Sequence, residues 1–297
     1  MDKEFSSTLS RYYHLIDIYD KMLTGVKKEY INDNRWFAFS ERVARKHLTH
    51  CKSLCLNSAE TFMFDEGEDK RETQFMDIPG IFINLRTQCD TYATLHHIFF
   101  DRIGIEINIL RFNLWELDSR ISLQKNTSII NLDERERIQG VINRILDCDG
   151  YKKLKTTQQS LLFKNNEDLN KIYTNWKFFP DKLESNKRLK ISWREIFVNA
   201  GLKGYIFENA HNFFSMYVHS DFFSVYELSV MTAEKAIAAK TFAINFSSYL
   251  ITFAMDDFCS RFKEAKDFAT KLPPLDIEII KSFLHTGRER GKIKYFI

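Results

Sequence analysis

The stretch IFINLRTQCDTYATLHHIFF, residues 81–100, decides the fold of this chain. Its apolar side chains recur at helical spacing over five turns. Pro79 and Gly80 stand directly before it, where a helix can begin, and Gly104 follows shortly after it. Few solvent-exposed helices are this apolar. We therefore predict a central helix over residues 81–102, with other helices packed around it.

The composition of the whole chain agrees with a helical fold. The 297 residues include only 10 glycines and 4 prolines, whereas all-β and βαβ folds need many turns. Phenylalanine is abundant, at 27 residues, and its ring buries a large area at helix interfaces. We predict an all-α protein, built as a multi-helix antiparallel bundle with extra short helices.

Periodicity and helix-breaking residues divide the remaining chain into further helices. Asn131 can cap a helix that ends near residue 150, and a last short helix is predicted over residues 276–287. No linker is long or polar enough to separate domains, so we predict one helical domain over residues 1–297, with residues 121–190 as a less regular insertion. The longer predicted helices cover residues 7–28, 35–64, 106–123, 202–219 and 224–263.

The net charge of +3 is too small to indicate nucleic-acid binding by itself. Two segments are locally basic. Residues 151–190 hold ten Lys/Arg against four Asp/Glu, and residues 281–297 hold five Lys/Arg against one Glu. Either segment could contact phosphates, or it could be an ordinary solvated face.

Several common classes are disfavoured by the sequence. The N-terminal MDKEFSSTLS has no apolar signal stretch, and five scattered cysteines are an odd number, so we expect a cytoplasmic protein with free thiols. Residues 236–255 are the most apolar stretch, but Lys240 interrupts them, which favours a core helix over a membrane span. Without a glycine-rich phosphate loop or a dinucleotide fingerprint, no cofactor is expected.

Polar residues form a stripe on each of two apolar helices. Arg86, Asp90 and His97 share one face of the central helix. An arginine and a carboxylate within so apolar a helix must be paired or hydrated. The second stripe belongs to the predicted helix 202–219, which also contains His211 and Tyr217. Its members are Glu208, Asn212, Ser215 and His219.

If these stripes face each other, they form a polar cluster that could hold an anion, position a water or perform acid–base chemistry. The alternative is a network that only fixes helix register. A metal site is not expected, because His47, Cys51 and Cys55 lie too far apart on one helix to bind a single tetrahedral ion. The candidate catalytic residues are Arg86, Asp90, Ser215 and His219, and the candidate binding residues are His97, Glu208, His211, Asn212 and Tyr217.

Residues 208–220, ENAHNFFSMYVHS, resemble the signature of a bacterial family of uncharacterised all-helical proteins. Members of that family end a helix with a serine, a Val-His pair and a small residue. Their earlier helix carries an arginine and, four residues later, an acid that is usually Glu, where this chain has Asp90. The resemblance covers residues 81–229 and implies one site containing Arg86, Asp90, Ser215 and His219.

A more distant similarity is to HEPN-type helical domains, many of which are ribonucleases of toxin–antitoxin and phage-defence systems. Their Arg and His act on the RNA phosphodiester with the 2′-hydroxyl as nucleophile, without a metal and usually as a homodimer. Here Asn212 stands where that spacing would put the arginine before His219, so Arg86 would have to substitute. The resemblance implies an RNA-cleaving or RNA-binding effector. The alternative is a non-enzymatic interaction or sensor protein whose polar cluster is structural or binds a small anion.

Overall fold

The structure is a computed structural model, and the residues that it describes are 3–26, 35–59, 62–65, 72–75, 77–126, 132–183, 191–207, 209–219 and 221–296. Within these residues the protein is all-α, as predicted, apart from two short antiparallel hairpins. The chain divides into two compact units. Unit 1 comprises Met1–Leu95 and Phe197–Ile297, and unit 2 comprises His96–Ile196.

The buried residues of the longer helices recur at helical spacing. In chain order the helices of the described residues are α1 (Lys3–Val26), α2 (Arg35–Ala59), α3 (Ile78–Leu95), α4 (Ile105–Asn126), α5 (Leu132–Asp147), α6 (Asp149–Lys152), α7 (Thr156–Leu162), α8 (Pro180–Leu183), α9 (Trp193–Asn199), α10 (Gly204–Phe207), α11 (Ala210–Val218), α12 (Phe222–Ser229), α13 (Ala233–Arg261), α14 (Lys263–Ala269) and α15 (Pro274–Gly287). The strands are β1 (Phe62–Asp65), β2 (Glu72–Phe75), β3 (Phe163–Lys164) and β4 (Tyr173–Thr174). None of the helices in this part of the chain is long and apolar enough to cross a membrane.

The helix predicted over residues 35–64 is too long. α2 ends at Ala59, and Phe62–Asp65 instead forms β1, which pairs antiparallel with β2. Phenylalanine and threonine favour strands, and a short apolar run cannot be assigned to helix or strand by its periodicity alone. The hairpin therefore satisfies backbone hydrogen bonds that a longer α2 would have satisfied within itself.

The predicted helix 202–219 is also interrupted. One turn, α10, ends at Phe207, and α11 begins after Asn209, whose side-chain type favours helix starts. The predicted helix 224–263 is likewise two helices, because Thr232 begins α13 by accepting a hydrogen bond from the Lys235 backbone N–H at 3.3 Å. Each break changes which residues share a face.

The central helix ends earlier than predicted, before residue 102. α3 ends at Leu95, and His96–Phe100 forms one π-helical turn, in which the Asp101 N–H bonds the His96 carbonyl at 2.8 Å. Single π-helical turns widen the helix and are frequent at functional sites. The α-helical spacing from Arg86 to His97 therefore does not continue through His97. The Asn131 cap lies outside the described residues.

The core of unit 1 contains a fully buried polar network that joins four helices. Tyr12 of α1 lies 2.6 Å from the Ser247 hydroxyl of α13 and donates to the Cys51 carbonyl of α2 at 3.1 Å. Ser247 in turn donates to Oε1 of Gln88 on α3 at 2.5 Å. Buried polar groups that are mutually satisfied in this way fix the relative register of the helices.

A second buried network is centred on Arg288, directly after α15. Its guanidinium is fully buried and donates to Asp256 at 2.7 Å, to Asp257 at 2.8 Å, to the Tyr92 hydroxyl at 3.2 Å and to the Ala200 carbonyl at 2.9 Å. Burial by itself would lower the pKa of Arg288, but the neighbouring Asp257 and Asp256 raise it above its ordinary value. Arg288 therefore remains charged in the core.

The same carboxylates hold the segment that follows Arg288. Asp256 accepts hydrogen bonds from the backbone N–H groups of Lys294, Tyr295 and Phe296, and Lys294 Nζ lies 2.9 Å from Asp257. Two cations of the basic segment 281–297, Arg288 and Lys294, thus form ion pairs in the interior of unit 1. These two cations are not part of a phosphate-contacting surface.

Unit 2 is built around α4 and a buried arginine of that helix. Arg111 donates to Asp101 and to the His97 carbonyl, both at 2.7 Å, and to the Phe178 carbonyl at 2.5 Å. Its guanidinium also faces the rings of Phe178 and Phe179 at 5.2 and 5.5 Å. Burial lowers the pKa of Arg111 to about 10, which still leaves the side chain protonated at neutral pH.

Replacing Arg288 with Met should lower the free energy of unfolding by about 3–5 kcal/mol, because Asp256 and Asp257 would remain buried without their main counter-charge. Arg290→Met in the same segment is the matched control. Arg290 is exposed, so its loss should change stability by less than about 0.5 kcal/mol. Urea unfolding of both variants measures the difference, and equal stabilities would contradict the assigned role of Arg288.

A buried histidine predicts acid sensitivity for unit 1. Burial, with a smaller effect from His50, lowers the pKa of His47 from 6.5 to about 3, and its ring is surrounded by Tyr19, Tyr92 and Cys51. The unfolded chain takes up the proton first, so stability falls as pH drops below 6.5.

His47→Gln should therefore reduce the loss of stability by about 1.4 kcal/mol per pH unit between about pH 6 and pH 4. Urea unfolding at several pH values gives both slopes. At pH 8, where the imidazole is neutral in both states, only the packing cost of the substitution remains. Parallel pH profiles for the two proteins would rule out His47 as the source.

Candidate functional site

Helix α11 packs on α3 through aromatic side chains. Phe82 of α3 contacts the rings of Phe213, Phe214 and Tyr217, with centroid separations of 5.3, 5.8 and 4.6 Å. Phe214 and Tyr217 are buried, as the apolar face of a short helix must be if the helix is to be stable. These contacts set which polar residues of the two helices meet.

Arg86 of α3 joins the two helices. Its Nε donates to the Ser215 hydroxyl of α11 at 2.8 Å, and its Nη1 forms an ion pair with Asp90, one turn further along α3. The Ser215 hydroxyl itself donates to the His211 carbonyl at 2.7 Å. The Ser215 hydroxyl therefore both accepts and donates a hydrogen bond. This suits a residue that positions the guanidinium, and it suits a nucleophile less well.

Asp90 completes the connection through His211. The His211 Nε2 lies 3.2 Å from Asp90 Oδ1, and the imidazole meets the edge of the Phe197 ring at 6.3 Å. The two polar stripes thus meet through the hydrogen bond from Arg86 to Ser215, and His211, which stands beside the second stripe, also reaches Asp90. We call Arg86, Asp90, His211 and Ser215 the α3–α11 cluster.

The α3–α11 cluster is reachable from solvent. The side chains of Arg86, Asp90 and His211 retain 19%, 34% and 16% of their exposure. The side chains of Arg288, Asp256 and Asp257 retain none. A carboxylate next to an imidazole can orient it and stabilise its protonated form, and the adjacent guanidinium can hold an anion.

The other predicted residues of α11 take different positions. His219 is the C-cap of α11 and is exposed, and its backbone N–H bonds the Ser215 carbonyl at 3.1 Å. Asn212 is exposed as well. Tyr217 is buried and donates a hydrogen bond to Glu227 at 2.7 Å. Burial, with a smaller effect from this hydrogen bond, raises the pKa of Tyr217. Glu208 lies outside the described residues.

His97 belongs to unit 2. Its ring is fully buried, 6.1 Å from that of Trp176 and 5.3 Å from that of Phe179, and neither ring nitrogen has a hydrogen-bond partner among the described residues. Burial and the nearby Arg111 keep the pKa of His97 well below its usual value. The imidazole is therefore neutral.

No three His, Cys, Asp or Glu residues in the described part of the chain come close enough to hold a metal ion. All five cysteines are free thiols, and four of them are buried. Burial raises the pKa of Cys51 to about 12, so this thiol, one turn from His47, stays protonated. The side chains of the α3–α11 cluster can themselves bind an anion and transfer protons.

Sequence reasoning missed His211 as the partner of Asp90 and the burial of Arg288 with Asp256 and Asp257. The first could have been recognised from the spacing of His211 and Ser215, which stand four residues apart on one helix face. The second could not, because its members come from distant segments.

Comparison with known proteins gives no relative, since no protein-family model, no curated protein and no solved structure matches this chain.

Replacing Asp90 with Asn should lower the free energy of unfolding by about 1 kcal/mol, because Arg86 and His211 lose a partly buried charged partner. Asp17→Asn is the matched control. Asp17 pairs with Lys21 in an exposed i, i+4 contact, so its loss should cost less than about 0.5 kcal/mol. Thermal or urea unfolding decides, and an unchanged stability in Asp90→Asn would show that the cluster does not hold α11 on α3.

Proposed function

We propose that this chain is a phage-defence or toxin-like effector that binds RNA, and cleaves it without a metal, at the α3–α11 cluster. One observation carries the proposal. Arg86, Asp90 and His211 are brought together where solvent can reach them, whereas the networks around Arg288 and Ser247 are fully buried. Partial exposure allows a ligand to reach Arg86 and His211, which the fully buried networks do not allow.

The chemistry of the cluster suits cleavage of a phosphodiester that carries its own nucleophile. The 2′-oxygen of the ribose forms a bond to phosphorus while the bond from phosphorus to the 5′-oxygen breaks. One imidazole takes the proton from the 2′-hydroxyl, and a second proton donor protonates the leaving 5′-oxygen. The products are a 2′,3′-cyclic phosphate and a 5′-hydroxyl.

Two histidines and one arginine are the proposed participants. His211 is oriented by Asp90, and His219 follows Ser215 by one helical turn and is exposed. Arg86 would stabilise the charge that develops on the non-bridging phosphate oxygens. Its Nε is fixed by Ser215, which aligns the guanidinium before any ligand binds.

A second candidate is a non-enzymatic interaction or sensor protein whose cluster is structural or binds a small anion. It is favoured by the satisfied state of the cluster, in which Arg86 already contacts Asp90 and Ser215. It is also favoured by the tail, where Arg288 and Lys294 are ion-paired internally rather than presented to phosphates.

The deciding experiment is incubation of the purified protein with labelled single-stranded RNA in the presence of EDTA. We expect cleavage to 2′,3′-cyclic phosphate ends, and His219→Gln should slow it by about 100-fold or more. Since His219 is exposed, the substitution should leave the fold intact. His285→Gln, an exposed histidine on α15, is the control and should retain full activity.

DNA of the same sequence lacks the 2′-hydroxyl and should remain intact. RNA that is bound but not cleaved would limit the proposal to RNA binding. A wild-type protein that neither binds nor cleaves RNA, while circular dichroism shows it folded, would overturn the proposal in favour of the interaction protein.

A further inference from the structure

Unit 2 contains a corner formed by two tryptophan rings. Trp176 lies in an irregular segment between β4 and α8, and Trp193 is the first residue of α9. Their ring centroids are 6.2 Å apart, and the ring planes are inclined at 65°. Both tryptophans are half-buried, so part of each residue remains exposed to solvent.

An ammonium group already occupies this corner. The Nζ of Lys177 lies 3.8 Å from the centroid of the Trp193 ring and 5.1 Å from that of the Trp176 ring. Cations bind the face of an indole more strongly than that of any other aromatic side chain, within about 6 Å of its centroid. The geometry is therefore that of a two-walled aromatic cage holding a cation.

The walls of the cage are fixed from behind. Trp176 packs on the buried ring of His97, which in turn meets Phe179 edge-on at 5.3 Å. Trp193 begins a helix that is capped by Ser192 and Glu195, with the Ser192 N–H donating to Glu195 at 2.7 Å. A rigid pair of rings loses little conformational entropy when it receives a ligand.

We propose that Trp176 and Trp193 form a binding site for a quaternary ammonium group, and that the Lys177 ammonium occupies this site when no ligand is bound. The lysine side chain is flexible, and its primary ammonium is strongly hydrated when it lies in water. A quaternary ammonium has no N–H groups to hydrate and is the class of cation that such cages favour. This site is independent of the proposed RNA chemistry.

Nucleic acid is the less suitable occupant. Single-strand binding needs a cationic groove alongside the aromatic rings. In the described part of the basic segment, Lys153, Lys171 and Lys182 are paired with carboxylates, as is Lys152. These carboxylates therefore offset part of the positive charge of the segment.

The test is a titration of the whole 297-residue chain with choline, followed by tryptophan fluorescence and calorimetry. We expect saturable binding, and 3,3-dimethylbutanol, the neutral isostere of choline, should bind at least about fivefold more weakly. Lys177→Met removes the internal competitor and should raise the affinity for choline by about two- to fivefold. A peptide carrying trimethyllysine, titrated in parallel, distinguishes a protein tail from a free small molecule as the source of the group.

Variants of the walls make the test decisive. Trp193→Ala should abolish binding and the conservative Trp193→Phe should weaken it, while Trp115→Phe on α4, outside the corner, should leave it unchanged. Circular dichroism confirms that each variant is folded. Equal binding of the neutral isostere, no gain from Lys177→Met, or binding of a single-stranded oligonucleotide in place of choline would each overturn the proposal.

Discussion

The buried charge of Arg288 is the constraint on which unit 1 depends. A guanidinium in the core is tolerated only because two carboxylates, a hydroxyl and a carbonyl surround it. Since these partners come from α3, from α13 and from the start of the segment before α10, one side chain ties together regions far apart in the sequence. The hydrophobic core could accept many packings of similar helices, but few of them would satisfy this charge.

The α3–α11 cluster is a consequence of that arrangement. Helix α11 is short and would be marginal alone, so its position depends on Phe82 below it and on the segment before α10 that Arg288 anchors. Once α11 is held on α3, Arg86 meets Ser215 and Asp90 meets His211. The functional hypothesis thus depends on a network that itself has no contact with solvent.

The sequence was sufficient for the all-α class, because apolar periodicity acts locally. Whether the two polar stripes meet could not be predicted, because that depends on how distant helices pack. The sequence was also insufficient where the partners of a charged side chain come from distant segments of the chain. Arg288 and Lys294 looked like surface cations because nothing nearby in the sequence indicates Asp256 and Asp257 as partners. The end of α2 and the breaks before α11 and α13 were missed because hairpin pairing and capping outweigh a helical apolar pattern.

The division of unit 1 between two stretches of chain has a consequence for synthesis on the ribosome. Helices α1–α3 emerge first, but α13, which buries their apolar faces, follows only after the whole of unit 2. At about 5–20 residues per second, that interval is on the order of 7–30 s. During it, the apolar faces of α1–α3 lack the helix that covers them in the folded protein, so unit 1 can complete its core only after α13 has been synthesised.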